Sequence, residues 1–130
     1  MPDGLAVGIG IVSYAEPQLV VESLAGTLAE AGLAGRPVVR IGTIDKLASH
    51  PALLAAAEAT GARLTGYPPE ALDRVAVPTP SDYVAGVMRT KSVSEAAALL
   101  AAGPGARLLV PKRVHAASVT VAVAAVDGAA

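Results

Sequence analysis

A chain of 130 residues bounds one domain, long enough to bury a core and too short for two ordinary ones; with 53% apolar residues but no Phe or Trp, that core is filled by Ala, Val, Leu and Ile. Ten Lys and Arg against eleven Asp and Glu give a net charge of -1 without a basic run, and only three tyrosines are aromatic, so the chain carries neither the electrostatic footprint nor the stacking platform of a nucleic-acid binder. No cysteine and two isolated histidines argue against a disulfide framework, a thiolate nucleophile or a metal site and fit a cytoplasmic chain, while the start, MPDG, and a glycine-broken first apolar run indicate neither a signal peptide nor a membrane span.

Residues 5–12, LAVGIGIV, read as a strand that is apolar on both faces and therefore interior to a sheet. Gly8 and Gly10 share one face, where two missing side chains admit either a closely packed helix or a ligand against the backbone. A helix follows, beginning at a Ser13–Glu16 capping box or at Glu16 or Pro17, with Leu19, Val20, Ser23, Leu24, Thr27 and Leu28 at helical spacing and Gly32 as its stop. Ser13 stands where G-x-G-x-x-G requires its last glycine, so this is not a dinucleotide-binding fingerprint.

Residues 36–43, RPVVRIGT, form a second predicted strand. Thr43, Asp45 and Lys46 then occupy a strand-to-helix connection, the place where doubly wound sheets bind ligands, although Asp45 also suits a helix cap and Lys46 a solvated surface. Ser49 caps and Pro51 opens the next helix, which stops near Gly61; His50 beside that loop is either incidental or an acid–base group. A short strand at 62–67 and a short helix at 68–75 lead into AVPTPSDYVAGVM, a surface connection or lid.

Arg89, Thr90, Lys91 and Ser92 place two positive charges and two hydroxyls before a helix whose capping box is Ser92 and Glu95, an arrangement that either holds a carboxylate-rich ligand or caps and solvates. A strand at 107–110 meets Pro111, which is expected to end its pairing and send Lys112 and Arg113 out of the sheet. His115 lies in the following connection, either on a ligand or exposed. That connection is too short for a crossover helix, so the last strand, VTVAVAAV at 119–126, is an antiparallel neighbour of the preceding one and the sheet is mixed. Residues 127–130 read as a frayed end.

Six motifs recur in order along the chain: GIG at 8–10, T-x-D-K at 43–46, P-x-L-x-x-x-A at 51–57, SVSEAAAL at 92–99, LLVPK at 108–112 and TVAVA at 120–124. Together they resemble the CobE-like cobalamin-biosynthesis proteins and the homologous carboxy-terminal domain of CbiG, over almost the whole chain. The resemblance implies a single α/β domain spanning residues 1–130, a three-layer α/β/α arrangement with a mixed sheet of about five strands, acting in construction of the corrin ring without a cofactor. CbiG proteins are associated with hydrolytic opening of a precorrin lactone; a catalytic chain would thus be a hydrolase acting on a precorrin-5A-like lactone, with Asp45 or His50 handling protons.

The further amino-terminal domains of CbiG are not among these residues, and Val12 and Ser13 stand where the family often has basic residues, so binding is the leading expectation. The ligand would be a precorrin, a flat macrocycle fringed by carboxylates, held by Arg89 and Lys91 and by Gly8, Gly10, Thr43, Lys46, Thr90, Ser92 and Lys112, the latter seven around one cleft, to be handed on or assisted through ring contraction and lactone processing. The alternative is a non-catalytic interaction subunit of a corrin-biosynthesis enzyme complex.

Overall fold

In the computed structural model, which describes residues 4–75 and 93–126, five strands form one mixed sheet in the order β3-β2-β1-β5-β4. Along the chain the elements are β1 (Leu5–Ile11), α1 (Pro17–Glu30), β2 (Val38–Ile44), a 3-10 turn (Asp45–Leu47), α2 (Pro51–Thr60), β3 (Arg63–Tyr67), α3 (Pro69–Asp73), α4 (Val93–Ala102), β4 (Leu108–His115) and β5 (Val119–Ala125). β1, β2 and β3 run parallel, β5 is antiparallel to β1, and β4 is antiparallel to β5. β1 and β5 are both interior, as their unbroken apolar sequences require.

The strand period of two gives the sheet unlike faces. Leu5, Val7 and Ile9 of β1, Ile41 of β2 and Val119, Val121 and Val123 of β5 form one core with Val20, Leu24 and Leu28 of α1 and Leu53 of α2. The opposite face carries Ala6, Ala122 and Ala124, against which α4 lays Ala98, Ala101 and Ala102. Only small residues serve there because the helix backbone comes so close. A Cβ on Gly8 would run into the Ser94 carbonyl and lie 2.6 Å from the Ala98 nitrogen, and one on Gly42 would lie 2.6 Å from the Ala97 carbonyl oxygen. The missing side chain of Gly8 therefore makes room for a helix. The far end of α4 is closed by Arg40, whose Nη1 donates to the Ala101 carbonyl at 2.9 Å and adds a positive charge at the negative end of the helix dipole.

One open choice is decided and two local expectations are corrected. α1 starts at Pro17 with Glu16 at its N-cap and no side-chain cap, so the Ser13–Glu16 box does not form and the later of the two starts holds. α2 is capped by His50 instead of Ser49: its Nδ1 accepts from the Ala52 N–H at 3.0 Å. β4 does not end at Pro111 but continues to His115, because the ladder takes in a bulge in which Val110 to Arg113 faces only Val123 to Val121. The N–H of Lys112, turned off the ladder there, donates to Glu95 Oε2 at 2.8 Å. A proline is tolerated where a bulge has already broken the pairing.

Arg113 consequently stays in the sheet and pairs with Glu30 at 2.9 Å, an exposed contact of small energetic weight. His115 is neither exposed nor directed at a ligand: its Nε2 lies 2.9 Å from Thr27 Oγ1. The Thr27 proton is used on the Ser23 carbonyl at 2.8 Å, so the imidazole is the donor in that contact.

β4 and β5 are joined by only three residues, 116–118, in a turn closed by the Ser118 N–H on the His115 carbonyl at 2.9 Å, with Ala116 and Ala117 at φ 51° and 53°. Both alanines thus hold the left-handed conformation that costs an L-residue roughly 1–2 kcal/mol and that Asn-Gly adopts readily. The double substitution Ala116→Asn, Ala117→Gly should raise stability by about 1 kcal/mol, part of the strain relief being offset by glycine's freedom in the unfolded chain. A urea midpoint unchanged or lowered in the variant would contradict this reading of the turn.

Candidate functional site

The parallel strands β1, β2 and β3 all end at one edge of the sheet, where the 3-10 turn and the amino ends of α1 and α2 also lie. In open α/β sheets this carboxyl edge is the ordinary place for a ligand, since loops from separate strands converge there on a rigid platform. Asp45 and Lys46, in the turn that leaves β2, are both exposed at it. α4 enters from the same end, with Ser94 over Gly8 and Val93 beside Gly10.

The predicted residues divide by what they touch. Gly8 is covered by α4. Gly10 is overlain by the Thr120 side chain, whose Oγ1 would lie 2.8 Å from a Cβ there. Thr43 is fully buried and donates to the Ile9 carbonyl at 2.7 Å, a side-chain bond that ties β2 to β1 beyond the Gly8–Gly42 pair, the last in their register. Lys112 is half-buried at the β4 bulge, tied through its backbone to the first turn of α4. Arg89, Thr90, Lys91 and Ser92 lie outside the described residues, as does the expected connection at 76–88.

His50 is a fastener. A backbone N–H can only donate and a carbonyl can only accept, so Nδ1 accepts from Ala52 while Nε2 donates to the Ser13 carbonyl at 2.7 Å. That assigns the neutral imidazole with its proton on Nε2, both nitrogens engaged by backbone. The Ser13 turn is held at two further points: the Val12 N–H donates to the Ser118 carbonyl and the Ala15 N–H to the Val12 carbonyl, each at 3.0 Å. The loops after β1 and before α2 and β5 are in this way fixed to one another.

Two buried polar groups at the start of α4 were not singled out as site residues from the sequence. Glu95 was read as half of a capping box; its carboxylate is fully buried and reaches across to β4. The Ser94 hydroxyl is fully buried without a hydrogen-bond partner among the described residues. Tyr67 covers Gly42, its ring edge 3.1 Å from where a Cβ would stand; burial pushes its phenol above the ordinary value of 10.0, against the lowering effects of the Arg40 charge and a hydrogen bond with Thr65. The ring thus packs against the sheet while the hydroxyl keeps a hydrogen-bond partner.

Near the other end of α4, an apolar groove of about 440 Å³ is lined by Val75, Leu99, Leu100 and the Gly103–Ala106 turn. It contains none of the predicted residues and no cation, so it does not suit a carboxylate ligand. Among the described residues no group of three His, Asp or Glu could hold a metal ion, and no helix is long and apolar enough to cross a membrane.

The fold and its small-residue helix contact can now be set beside known proteins. Residues 5–124 match the family described as Cobalamin synthesis G C-terminus. The chain belongs to this family. Among curated members of the same pathway, it is 33% identical over 126 residues to the cobalt-precorrin-5A hydrolase of Priestia megaterium, covering 95% of the chain but only about a third (32%) of that protein. It is 32% identical to Protein CobE of a Sinorhizobium species over 115 residues, 87% of this chain and 75% of the relative. The crystal structure of CobE, a protein from the cobalamin biosynthetic pathway, superposes with a TM-score of 0.80 at 27% identity, covering 96% of this chain and 92% of the other. The cobalamin-synthesis G carboxy-terminal fold is therefore the one present here, and the mixed five-strand sheet agrees with the expectation from the six motifs.

Proposed function

We propose that this cobalamin-biosynthesis domain binds a carboxylate-fringed corrin-ring intermediate, a precorrin, at the carboxyl edge of its parallel strands, and holds it for transfer or for ring contraction and lactone processing. The observation that carries the reading is the position of Lys46: an exposed ammonium on a short turn leaving an interior strand, at the edge where the loops are pinned together, in a chain of this family. An ammonium so placed attracts peripheral carboxylates and bonds to them with charge assistance. Lys112, attached by its backbone to the start of α4, is the second cation of the reading, and Arg89 and Lys91 precede that helix in sequence.

Steering and holding suit these side chains better than independent catalysis. In a lactone-opening reaction, Asp45 is the group exposed to solvent that can accept a proton from water, whereas His50 would have to release the Ala52 N–H before its Nδ1 could do so. The apolar groove beside α4 favours a second reading, an interaction subunit docked on a biosynthetic enzyme.

Isothermal titration with a polycarboxylated corrin precursor at two ionic strengths tests the first reading. The wild type should bind, and Lys46→Ala and Lys112→Ala should each bind about three- to tenfold more weakly at low salt, with a smaller loss at high salt and an unchanged fold. Unchanged affinity in both folded variants rejects these lysines as contacts. No binding by the wild type, together with co-purification of a pathway enzyme, moves the assignment to the interaction subunit.

A further inference from the structure

Tyr14 is the most exposed large apolar residue of the described chain, 78% open to solvent, and it stands at the carboxyl edge directly after β1, the central strand. Single exposed apolar residues are ordinary on edge strands and helix surfaces, as Val114 on β4 and Leu54 on α2 are here. Tyr14 differs in how its backbone is held. Ser13 before it is fixed by His50, Val12 by Ser118, and Ala15 after it is buried and closes the turn onto Val12. The turn cannot easily fold the ring inward, and leaving a large apolar side chain in water forgoes roughly 1.5–3 kcal/mol of burial. A rigid backbone displaying a bare ring is the arrangement of a preorganised contact, since little side-chain or loop entropy remains to be lost on binding.

We infer that the Tyr14 ring is the surface on which the flat face of a carboxylate-fringed macrocycle lies, an inference that rests on the corrin-intermediate reading above. The division of labour follows from the chemistry of such a ligand. Its rim is anionic and calls for cations such as Lys46, on the turn that leaves the neighbouring strand β2. Its face is apolar and polarisable and calls for an aromatic plane. The other aromatic of the described residues, Tyr67, has its ring packed over Gly42 and is not displayed in this way. No feature of the motifs marks Tyr14, which lies between GIG at 8–10 and T-x-D-K at 43–46.

The test is an equilibrium titration with uroporphyrin, a flat macrocycle carrying eight carboxylates, followed by its visible absorption band. Wild type and Tyr14→Phe should bind with one-to-one stoichiometry and affinities within about twofold of each other, because the ring and not the hydroxyl makes the contact. Tyr14→Ala should bind about tenfold more weakly, by the same factor at low and high salt, while the loss in Lys46→Ala fades as salt rises. Circular dichroism should show an unchanged fold in Tyr14→Ala, as expected for an exposed side chain. Wild-type affinity in Tyr14→Ala overturns the inference, as does a wild type that does not bind uroporphyrin. The corrin reading is decided separately by the precursor titration.

Discussion

Gly8→Ala should cost about 3 kcal/mol of stability and lower the melting temperature by roughly 10 °C, the largest effect expected of any single methyl group in this chain. The added Cβ meets backbone, the Ser94 carbonyl and the Ala98 nitrogen, and so no side-chain rotation relieves it. Either α4 lifts from the sheet, opening gaps against Ala6 and Ala122, or β1 shifts and disturbs its pairing with β2 and β5 on both sides. Both routes undo close packing that a core cannot recover by small adjustments. Thermal and urea unfolding followed by circular dichroism measure the loss. A variant within 0.5 kcal/mol of wild type would mean that α4 does not lie where it is described. Gly26→Ala is the control: nothing lies within 4 Å of its Cβ position, and in the middle of α1 alanine is the better helix former by roughly 1 kcal/mol.

Glu95→Ala should be nearly as damaging, at about 3 kcal/mol, through a different mechanism. The carboxylate is the acceptor for the Lys112 N–H, which the β4 bulge has turned away from β5. Truncation removes a charge-assisted bond, leaves that amide without its partner and vacates the space of a fully buried side chain. Glu95→Gln keeps one carbonyl oxygen of the same reach and should lose less than half as much. Hydrogen exchange at the Lys112 amide separates this from a general loss of packing: it should quicken in Glu95→Ala beyond the change at Val121 and Val123. Equal acceleration at all three amides would remove Glu95 from its assigned role at the bulge.

The parts of the molecule legible in the sequence are those set by patterns within an element. LAVGIGIV and VTVAVAAV are apolar without a wet side, so both had to be interior, and the few residues between the last two strands allowed only an antiparallel pair. What escaped depends on partners distant in the chain. Pro111 looks like the end of a strand until Glu95 is seen to supply the acceptor that lets β4 bulge and go on. Ser49 is the better intrinsic cap, yet His50 takes the position because its other nitrogen is fastened to Ser13, 37 residues away. Thr43 reads as a polar residue in a binding loop and instead spends its hydroxyl on Ile9.

For the candidate site the same limit holds. Asp45 and Lys46 are exposed at the strand edge because they follow directly from β2, which local sequence can announce. The two glycines of GIG carried a real ambiguity, packing or ligand, and Gly8 is settled by the backbone of α4, whose position is not written in β1. Tyr14 had no motif to mark it, since its exposure arises from the fastening of three separate segments.

The sheet order has a kinetic consequence. β1 is flanked on one side by β5, with Leu5 opposite Ala125, so its pairing joins residues about as far apart as the chain allows. Closing so long a loop is entropically unfavourable before any contact rewards it, and topologies dominated by such pairings fold in milliseconds to seconds where helical bundles take microseconds to milliseconds. Until β5 is in place, β1 presents one naked edge and α4 lacks the Ala122 and Ala124 part of its seat. Refolding should therefore wait on the β4–β5 hairpin, a local unit with a three-residue connection that docks as one piece. The strained alanines of that turn would then govern how fast the whole sheet closes, giving Ala116 and Ala117 an influence on folding rate out of proportion to their place at the rim.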